Sequence, residues 1–581
     1  MNIRRIIAPT LLLALFSASS CQDNFLQQNP LGAISPASLN NSAGVEGALI
    51  NAYGTLRGTG GWYTSPMNWM WGSVRSDDAY KGSEPADQNQ LNPIERFEVL
   101  PSNGSVRDKW SGCFDGIGQA NVTLRLLKDV QMPDAQKRSI EAQARFIRGF
   151  HYIEALTHYN KVPYIDETVV DLAQFAQLTN TADIWPQVEA DLKFAYDNLP
   201  GTQSQIGRVN KWAAGAYLAK AMMFQRKWAD ARTLLQTVID QGTTAGGAKY
   251  ALMERYGDVF RGVNENGPEM VFGIQYTIGD GNAGANGSQD AVLAHPHNNG
   301  PGGCCGFFQP AQNLVNAYKT GTNGLPLFDT FNQSDVNNFE STPNNLFYAG
   351  PLDPRLDWAV GRIGIPYLDW GLASTSWIRS APNGGPYLPK KHIHYRDEMG
   401  RFQIAGGWGQ SVSGKNWPAM RFADLLLLKA ECDVETNNLE EARAIVNRIR
   451  RRAANPEGFV RKLVDDADPS KGFSTTPAAN YVISEYTAPW TSQAVARTAV
   501  LWERRLELAM EGHRWYDLLR RDRATMTSVM QEYLRVEQTK RTHLAGARYT
   551  QNKDEFLPIP EQQIARSTVN GAPNITQNPG Y

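Results

Sequence analysis

Apolar positions recur at three- and four-residue spacing in several separate blocks of the chain, the period of an amphipathic helix. In "EAQARFIRGFHYIEALTH" (141–158), Ala144, Ile147, Phe150 or His151, and Leu156 share one face, which predicts a helix ending before Pro163. The stretches "AYLAKAMMFQRKWADARTLLQTVIDQG" (216–242) and "ADLLLLKAECDVETNNLEEARAIVNRIR" (423–450) each read as helix, short polar turn, helix. Ala231-Arg232 and Ala442-Arg443 fall in matching places. This is the pattern of tetratricopeptide-type hairpins, in which each hairpin buries its apolar face against a neighbour. The copies lie far apart, so a regular tandem array is not expected.

Between these blocks the period is lost. Residues 277–420 are rich in Gly, Pro, Asn and aromatics, as in "HPHNNGPGGCCGFF" and "LDWGLASTSWIRSAPNGGPYLP", a composition that makes loops and short strands. Residues 59–82, "TGGWYTSPMNWMWGSVRSDDAYKG", have the same character. Long loops in a compact fold usually carry function. The pattern therefore predicts a helical scaffold bearing large aromatic loops.

One charged block competes for attention. In "LWERRLELAMEGHRWYDLLRR" (501–521), a helix would stack Glu503, Glu507 and Glu511 on one face. A glycosidase needs two carboxylates ~5–9.5 Å apart, one of them with a raised pKa. Here Arg504, Arg505 and Arg514 favour the ionised forms, so no protonated acid is expected near neutral pH. The reading is a structural ion-pair network of Glu503, Glu507, Glu511, Arg514 and Asp517, set against Arg421, Asp424 or Glu431.

Composition adds limits. The chain has 581 residues, 42% of them hydrophobic, and a formal net charge of −1, so nothing points to nucleic acid as a partner. Its 15 tryptophans are flat amphipathic rings suited to core filling or to ligand platforms. Five cysteines make neither a disulfide framework nor a zinc site. Cys113 and Cys432 read as buried thiols. Cys304 and Cys305 are adjacent, and ordinary disulfide geometry is hard to reach between neighbours, which favours two reduced thiols. His295, His297, His392 and His394 sit at alternate positions, a spacing more common for hydrogen-bonding residues than for metal ligands, so no metal site is expected.

The N-terminus, "MNIRRIIAPTLLLALFSASSCQDNF", has basic residues, an apolar run and small residues leading into Cys21. That is the layout of a secretory signal over residues 1–20, and it resembles a bacterial lipoprotein signal in which Cys21 becomes the acylated first residue. No later apolar run approaches the ~18–20 residues of a spanning helix, so an anchored chain is expected. Phosphate-binding glycine loops, H-E-x-x-H and G-x-S-x-G are absent from the sequence. No cofactor and no catalytic residues are expected.

Eleven segments together carry a family resemblance: "CQDNFLQQNP", "ALINAYGTLR", "SDDAY", "EAQARFIRGFHYIEALTHYNKVPY", "GRVNKWAAGAYLAKAMMFQRKW", "LDPRL", "MRFADLLLLKAE", "NRIRRRA", "ERRLELAMEGHRWYDLLRR", "FLPIP" and "QNPGY". In this order they resemble the SusD/RagB family of outer-membrane nutrient-binding lipoproteins. Ala18 and Asn160 depart from its usual pattern. The resemblance implies a mainly α-helical protein with four tetratricopeptide-like hairpins and a loop-rich, glycan-binding face with short strands. It implies an N-terminal region over 21–240 and a C-terminal region with the ligand loops over 241–581. It also implies a SusC-like TonB-dependent β-barrel transporter as partner, and a place on the cell outer membrane, surface-exposed and lipid-anchored through Cys21.

A sugar presents apolar C–H faces and hydroxyl edges, so its site needs flat aromatics and polar groups. The candidates are Trp69, Trp71, Asp77 and Tyr80 in the first loop, beside Trp62 and Asp78. Phe307 and Phe308 flank the cysteine pair, and Trp370 and Trp377 lie in the later loop. Peptide capture on the same scaffold, or a surface glycoside hydrolase, are the alternative functions.

Overall fold

A computed structural model describes residues 39–59, 62–281, 285–336, 348–406 and 410–581. The signal segment and Cys21 lie outside the described residues. Four helical hairpins form the scaffold: α1 (Ser42–Gly54) with α2 (Gly104–Asp129), α3 (Asp134–Tyr159) with α4 (Trp185–Asn198), α5 (Lys211–Phe224) with α6 (Trp228–Gln241), and α7 (Phe422–Glu435) with α8 (Leu439–Ala453). Each pair also packs on the next. The fold is mainly α, as the helical periods predict.

Local chemistry sets several of these starts. Asn41, Asn103 and Asn210 cap α1, α2 and α5 by accepting hydrogen bonds from the first free backbone N–H groups. Helix α8 begins with Glu440 and Glu441 and ends with Arg450, Arg451 and Arg452, in the sense that suits the helix dipole. The matching alanines Ala231 and Ala442 are buried, and Arg232 Nε donates to Asp433 Oδ1 at 2.7 Å, which ties α6 to α7.

The 501–521 block departs from a continuous helix. Helix α9 (Gln493–Leu508) stops, Met510 and Gly512 take positive φ, and α10 (Arg514–Leu519) restarts the chain. Glu511 therefore lies in the break. The reason is a main-chain contact: a Cβ on Gly72 would meet the Gly512 carbonyl oxygen at 1.9 Å, so both positions need glycine.

The carboxylates of this block do form a buried ion-pair network, and it uses all three expected anchors. Arg421 pairs with Glu507 and Glu511, Arg504 with Asp424 and Asp517, and Arg520 with Glu431 and Asp517. Arg355 joins Asp353, Glu503 and Glu507, while Arg450 reaches Glu503. Burial alone would raise the Glu507 carboxyl, but Arg452, Arg421 and Arg355 hold it far below the usual carboxylate range.

Short antiparallel pairs organise the loop-rich side: β1 (Ala79–Gly82) with β3 (Phe307–Pro310), and β2 (Met270–Ile274) with β8 (Trp417–Arg421). The other pairs are β4 (Val360–Gly361) with β5 (Leu388–Pro389), β6 (Gln403–Ala405) with β7 (Ser411–Ser413), and β9 (Arg461–Leu463) with β10 (Phe473–Pro477). One buried cluster runs from Val45 to Ile575, and a smaller one around Tyr367, Leu388, Ile393 and Tyr395 supports the 356–398 loops. No helix among the described residues is long and apolar enough to cross a membrane.

Candidate functional site

Two loops, 294–306 and 366–398, interlock on the face opposite in character to the helical hairpins. The His297 N–H donates to the Trp377 carbonyl at 2.8 Å, and Asn298 Nδ2 donates to the Ser376 carbonyl at 2.7 Å. Trp377 is half-buried and meets Tyr367 edge-on, with centroids 5.6 Å apart. Two residues on, Arg379 pairs with Asp87 at 2.7 Å and Glu84 at 3.5 Å, which fastens this loop to the segment after β1.

Trp370 is held in the same way. Its Nε1 donates to the His394 carbonyl at 2.9 Å, its ring meets His394 edge-on at 5.5 Å, and the Arg396 guanidinium lies 5.9 Å from its centroid. The Asp369 carboxylate accepts from the Arg396 and Asp397 N–H groups, closing the turn around it. Both tryptophans thus keep part of their rings at the surface on positions fixed by hydrogen bonds, a suitable state for a flat ligand contact.

Beneath them lie the histidines. His295 and His394 stand 5.7 Å apart by ring centroid, and burial lowers His295 to about 4 and His394 well below its usual value. Both are neutral at physiological pH. His392 instead packs on Trp417 and bonds the Met510 carbonyl. Among the described residues no group of three or more His, Cys, Asp or Glu side chains is placed to hold a metal ion. Cys304 and Cys305 are joined as a disulfide, which corrects the expectation of reduced thiols; Cys113 and Cys432 are free and buried.

The other sequence candidates are not brought to this surface. Trp69, Trp71, Tyr80, Phe307 and Phe308 are all buried, with no ring face left for a ligand. Residues 69–74 form a π-helical turn rather than an open loop, with Trp69 packed against Phe307 and Phe308 at 6.1 and 5.7 Å. Trp71 Nε1 donates to the Tyr63 carbonyl at 2.7 Å, and the Tyr80 hydroxyl bonds Glu537. Asp77 is committed to Arg514, at 2.8 and 2.9 Å, and to Arg505. Trp62 is partly buried against the core. The 62–82 segment is an internal spine, because β1 pairs with β3 and Gly72 seats against Gly512.

Sequence reasoning missed Arg379, Asp87 and Tyr367. Arg379 had a usable signal, a lone arginine two positions beyond Trp377 in a Gly- and Ser-rich loop; Asp87 and Tyr367 had none.

Comparison with known proteins places this architecture. Residues 268–581 match the SusD family model, and residues 63–223 match a model described as "Starch-binding associating with outer membrane". The chain is 24% identical over 579 residues to SusD-like protein P2 of Formosa agariphila, covering 98% of this chain and 99% of that protein. It is 27% identical over 289 residues to a SusD-like protein of Bacteroides ovatus, covering 47% of this chain and 49% of that one. Among solved structures, a laminarin-binding SusD-like protein superposes with a TM-score of 0.65 at 22% identity, covering 93% of this chain and 100% of the other. Surface glycan-binding protein A of Bacteroides thetaiotaomicron, solved with laminarihexaose, superposes at 0.63 with 17% identity, over 93% and 99% of the two chains. With the family model spanning more than half of the sequence and the helical hairpins in place, the chain belongs to the SusD family.

Proposed function

We propose that this protein captures oligo- or polysaccharide at the cell surface on the face carrying Trp370 and Trp377, and delivers it to a SusC-like TonB-dependent transporter. The observation that carries the reading is the pair of partly buried indoles held by hydrogen bonds on interlocked loops. A sugar ring laid on such a platform loses apolar surface to the ring while its hydroxyls keep hydrogen bonds at the rim. Two structural neighbours named for laminarin and laminarihexaose support a glycan as the ligand class. The layout at Cys21 supports cleavage after residue 20 and an acyl anchor in the outer membrane.

The protein acts in this reading as a binder and not as an enzyme. The one cluster of carboxylates that suggested hydrolysis is buried and ion-paired, with Glu507 and Asp517 held ionised. Affinity electrophoresis through gels containing laminarin, starch, xylan or galactomannan tests the proposal. Retardation in at least one gel, lost in Trp377→Ala, is the expected result. Free migration in all four, or release of reducing ends from a polysaccharide, would overturn it.

A further inference from the structure

A cleft borders the small cluster that supports Trp370 and Trp377, sharing Trp358, Leu368 and Tyr395 with it. It has a volume of about 250 Å³ and is walled by Trp358, Phe459, Phe473 and Tyr395, which come from four separate places in the chain. Its floor is Pro366 and Leu368, from the loop that also carries Trp370. Trp358, Trp370 and Trp377 all pack against the same group of residues around Tyr367 and Leu388.

Trp358 is fixed at both ends. Its Nε1 donates to the Gly458 carbonyl at 2.7 Å, and the far end of the indole lies so close to Gly257 that a Cβ there would come within 2.5 Å of the ring. The indole stays only half-buried. Lys390 sits behind it with its ammonium on the Asp357 and Pro366 carbonyls, 5.8 Å from the indole centroid. Phe473, which also lines the cleft, is 47% exposed at the start of β10, a strand whose next three side chains are polar.

The rim carries charged pairs. Arg255 bonds Asp258 at 2.7 Å, and Arg461 lies 3.3 Å from Glu457. These forks and carboxylates are partly or largely solvated, so they can exchange water for neighbouring hydroxyl groups. Aromatic walls with polar groups at the edge are the pattern of a sugar site, and the volume lies below that of a drug-sized pocket. It suits one ring.

We propose that this cleft is a second glycan subsite, taking a single pyranose ring of the same polysaccharide that Trp370 and Trp377 engage; the inference rests on the glycan-binding reading of that face. Two contacts on one rigid loop body make the second binding event intramolecular, so a long chain gains affinity that a short one cannot. Gly257 is the positioning residue: its missing side chain lets the indole lie where it does.

The test uses the full mature chain with the substitutions Trp358→Ala, Phe473→Ala and Gly257→Ala. Each is run in the four polysaccharide gels, and each is titrated with a trisaccharide of whichever polymer retards the wild type. We expect each substitution to weaken polymer binding roughly tenfold through lost avidity, while trisaccharide affinity at the Trp377 face stays at the wild-type value. Gly257→Ala should act although every aromatic ring is retained. Phe473→Ala removes an exposed side chain, so it reports even where Trp358→Ala lowers the melting temperature. Polymer binding unchanged in Phe473→Ala and Gly257→Ala, with Trp377→Ala still defective, would overturn the second subsite and leave the proposed function standing. No retardation of the wild type in any gel would remove both.

Discussion

Arg421 Nη1 lies 2.7 Å from Glu507 Oε1, and both side chains are almost wholly buried. The same guanidinium reaches Glu511 at 2.8 Å and Glu269 at 2.9 Å, so one cation serves three carboxylates from two distant parts of the chain. Removing one partner leaves the others charged and desolvated. Glu507→Ala should therefore destabilise folding by about 3–5 kcal/mol, the usual range for breaking a buried pair. Chemical denaturation checks this. A variant with unchanged stability and lost activity on a glycan would revive the catalytic reading.

Buried Asp290 gives a pH signature of opposite sign to the network. Its carboxyl bonds the Ser65 hydroxyl, yet burial pushes it up to about 7. An unfolded Asp titrates near ~3.9, so the folded chain holds this proton more tightly. The stability it contributes is complete below about pH 4 and is lost as pH rises through about 7. Glu265, also raised by burial to about 7, adds to the same trend. Asp290→Asn should raise the melting temperature relative to wild type at about pH 8 and change it little at about pH 4. A difference that is equal at both values would refute the assignment.

Glu511 titrates the other way. Burial opposes ionisation, but Arg421 and Lys391 depress its carboxyl to about 2. Its contribution is present above the unfolded pKa of about 4.3 and is lost as pH falls toward about 2. Acid unfolding of Glu511→Gln should accordingly be less steep below about pH 4 than that of the wild type, from a lower starting stability.

Trp377→Ala should weaken binding of the cognate glycan by about 2 kcal/mol, near thirtyfold, while leaving the helical circular dichroism intact. Trp515→Ala is the contrast. That indole is buried, lies 4.2 Å from the Arg75 guanidinium and stacks on Phe97, so its loss should lower stability first. Isothermal titration and thermal melts of the two variants separate the effects.

On the proposed acyl anchor, whose chains would supply ~0.8 kcal/mol per buried CH₂, Cys21→Ala should move the protein from the membrane to the soluble fraction. Retention of the variant on membranes lacking any transporter would count against the anchor.

The helical periods were legible because their signal is local. Ala144, Ile147, Phe150 and Leu156 all point into the core of α3, and the two hairpins read from 216–242 and 423–450 end within a few residues of their predicted limits. That Glu507 is ion-paired was legible too, but not through the arginines beside it, since Arg504, Arg505 and Arg514 pair with aspartates instead. Its partners Arg355 and Arg452 were not legible, since nothing in the sequence says which distant segments meet. The aromatic loops failed for a related reason. Trp69 and Trp377 stand in equally glycine-rich surroundings, and only the pairing of β1 with β3 decides that one ring is inside and the other out. The helix break at Gly512 was hidden because helical spacing on both sides masks a turn set by contact with Gly72.

The ion pair between Asp77 and Arg514 spans 437 positions of sequence. Closing so long a loop costs entropy that only the finished core repays, and folds dominated by distant contacts form slowly. A chain truncated before residue 500 would carry Asp77, Asp78, Asp424 and Glu431 without Arg504, Arg505, Arg514 and Arg520, the arginines that pair with them. The first and last parts of the chain therefore lock together late in folding, and a chain that stops short of them leaves these carboxylates without their partners.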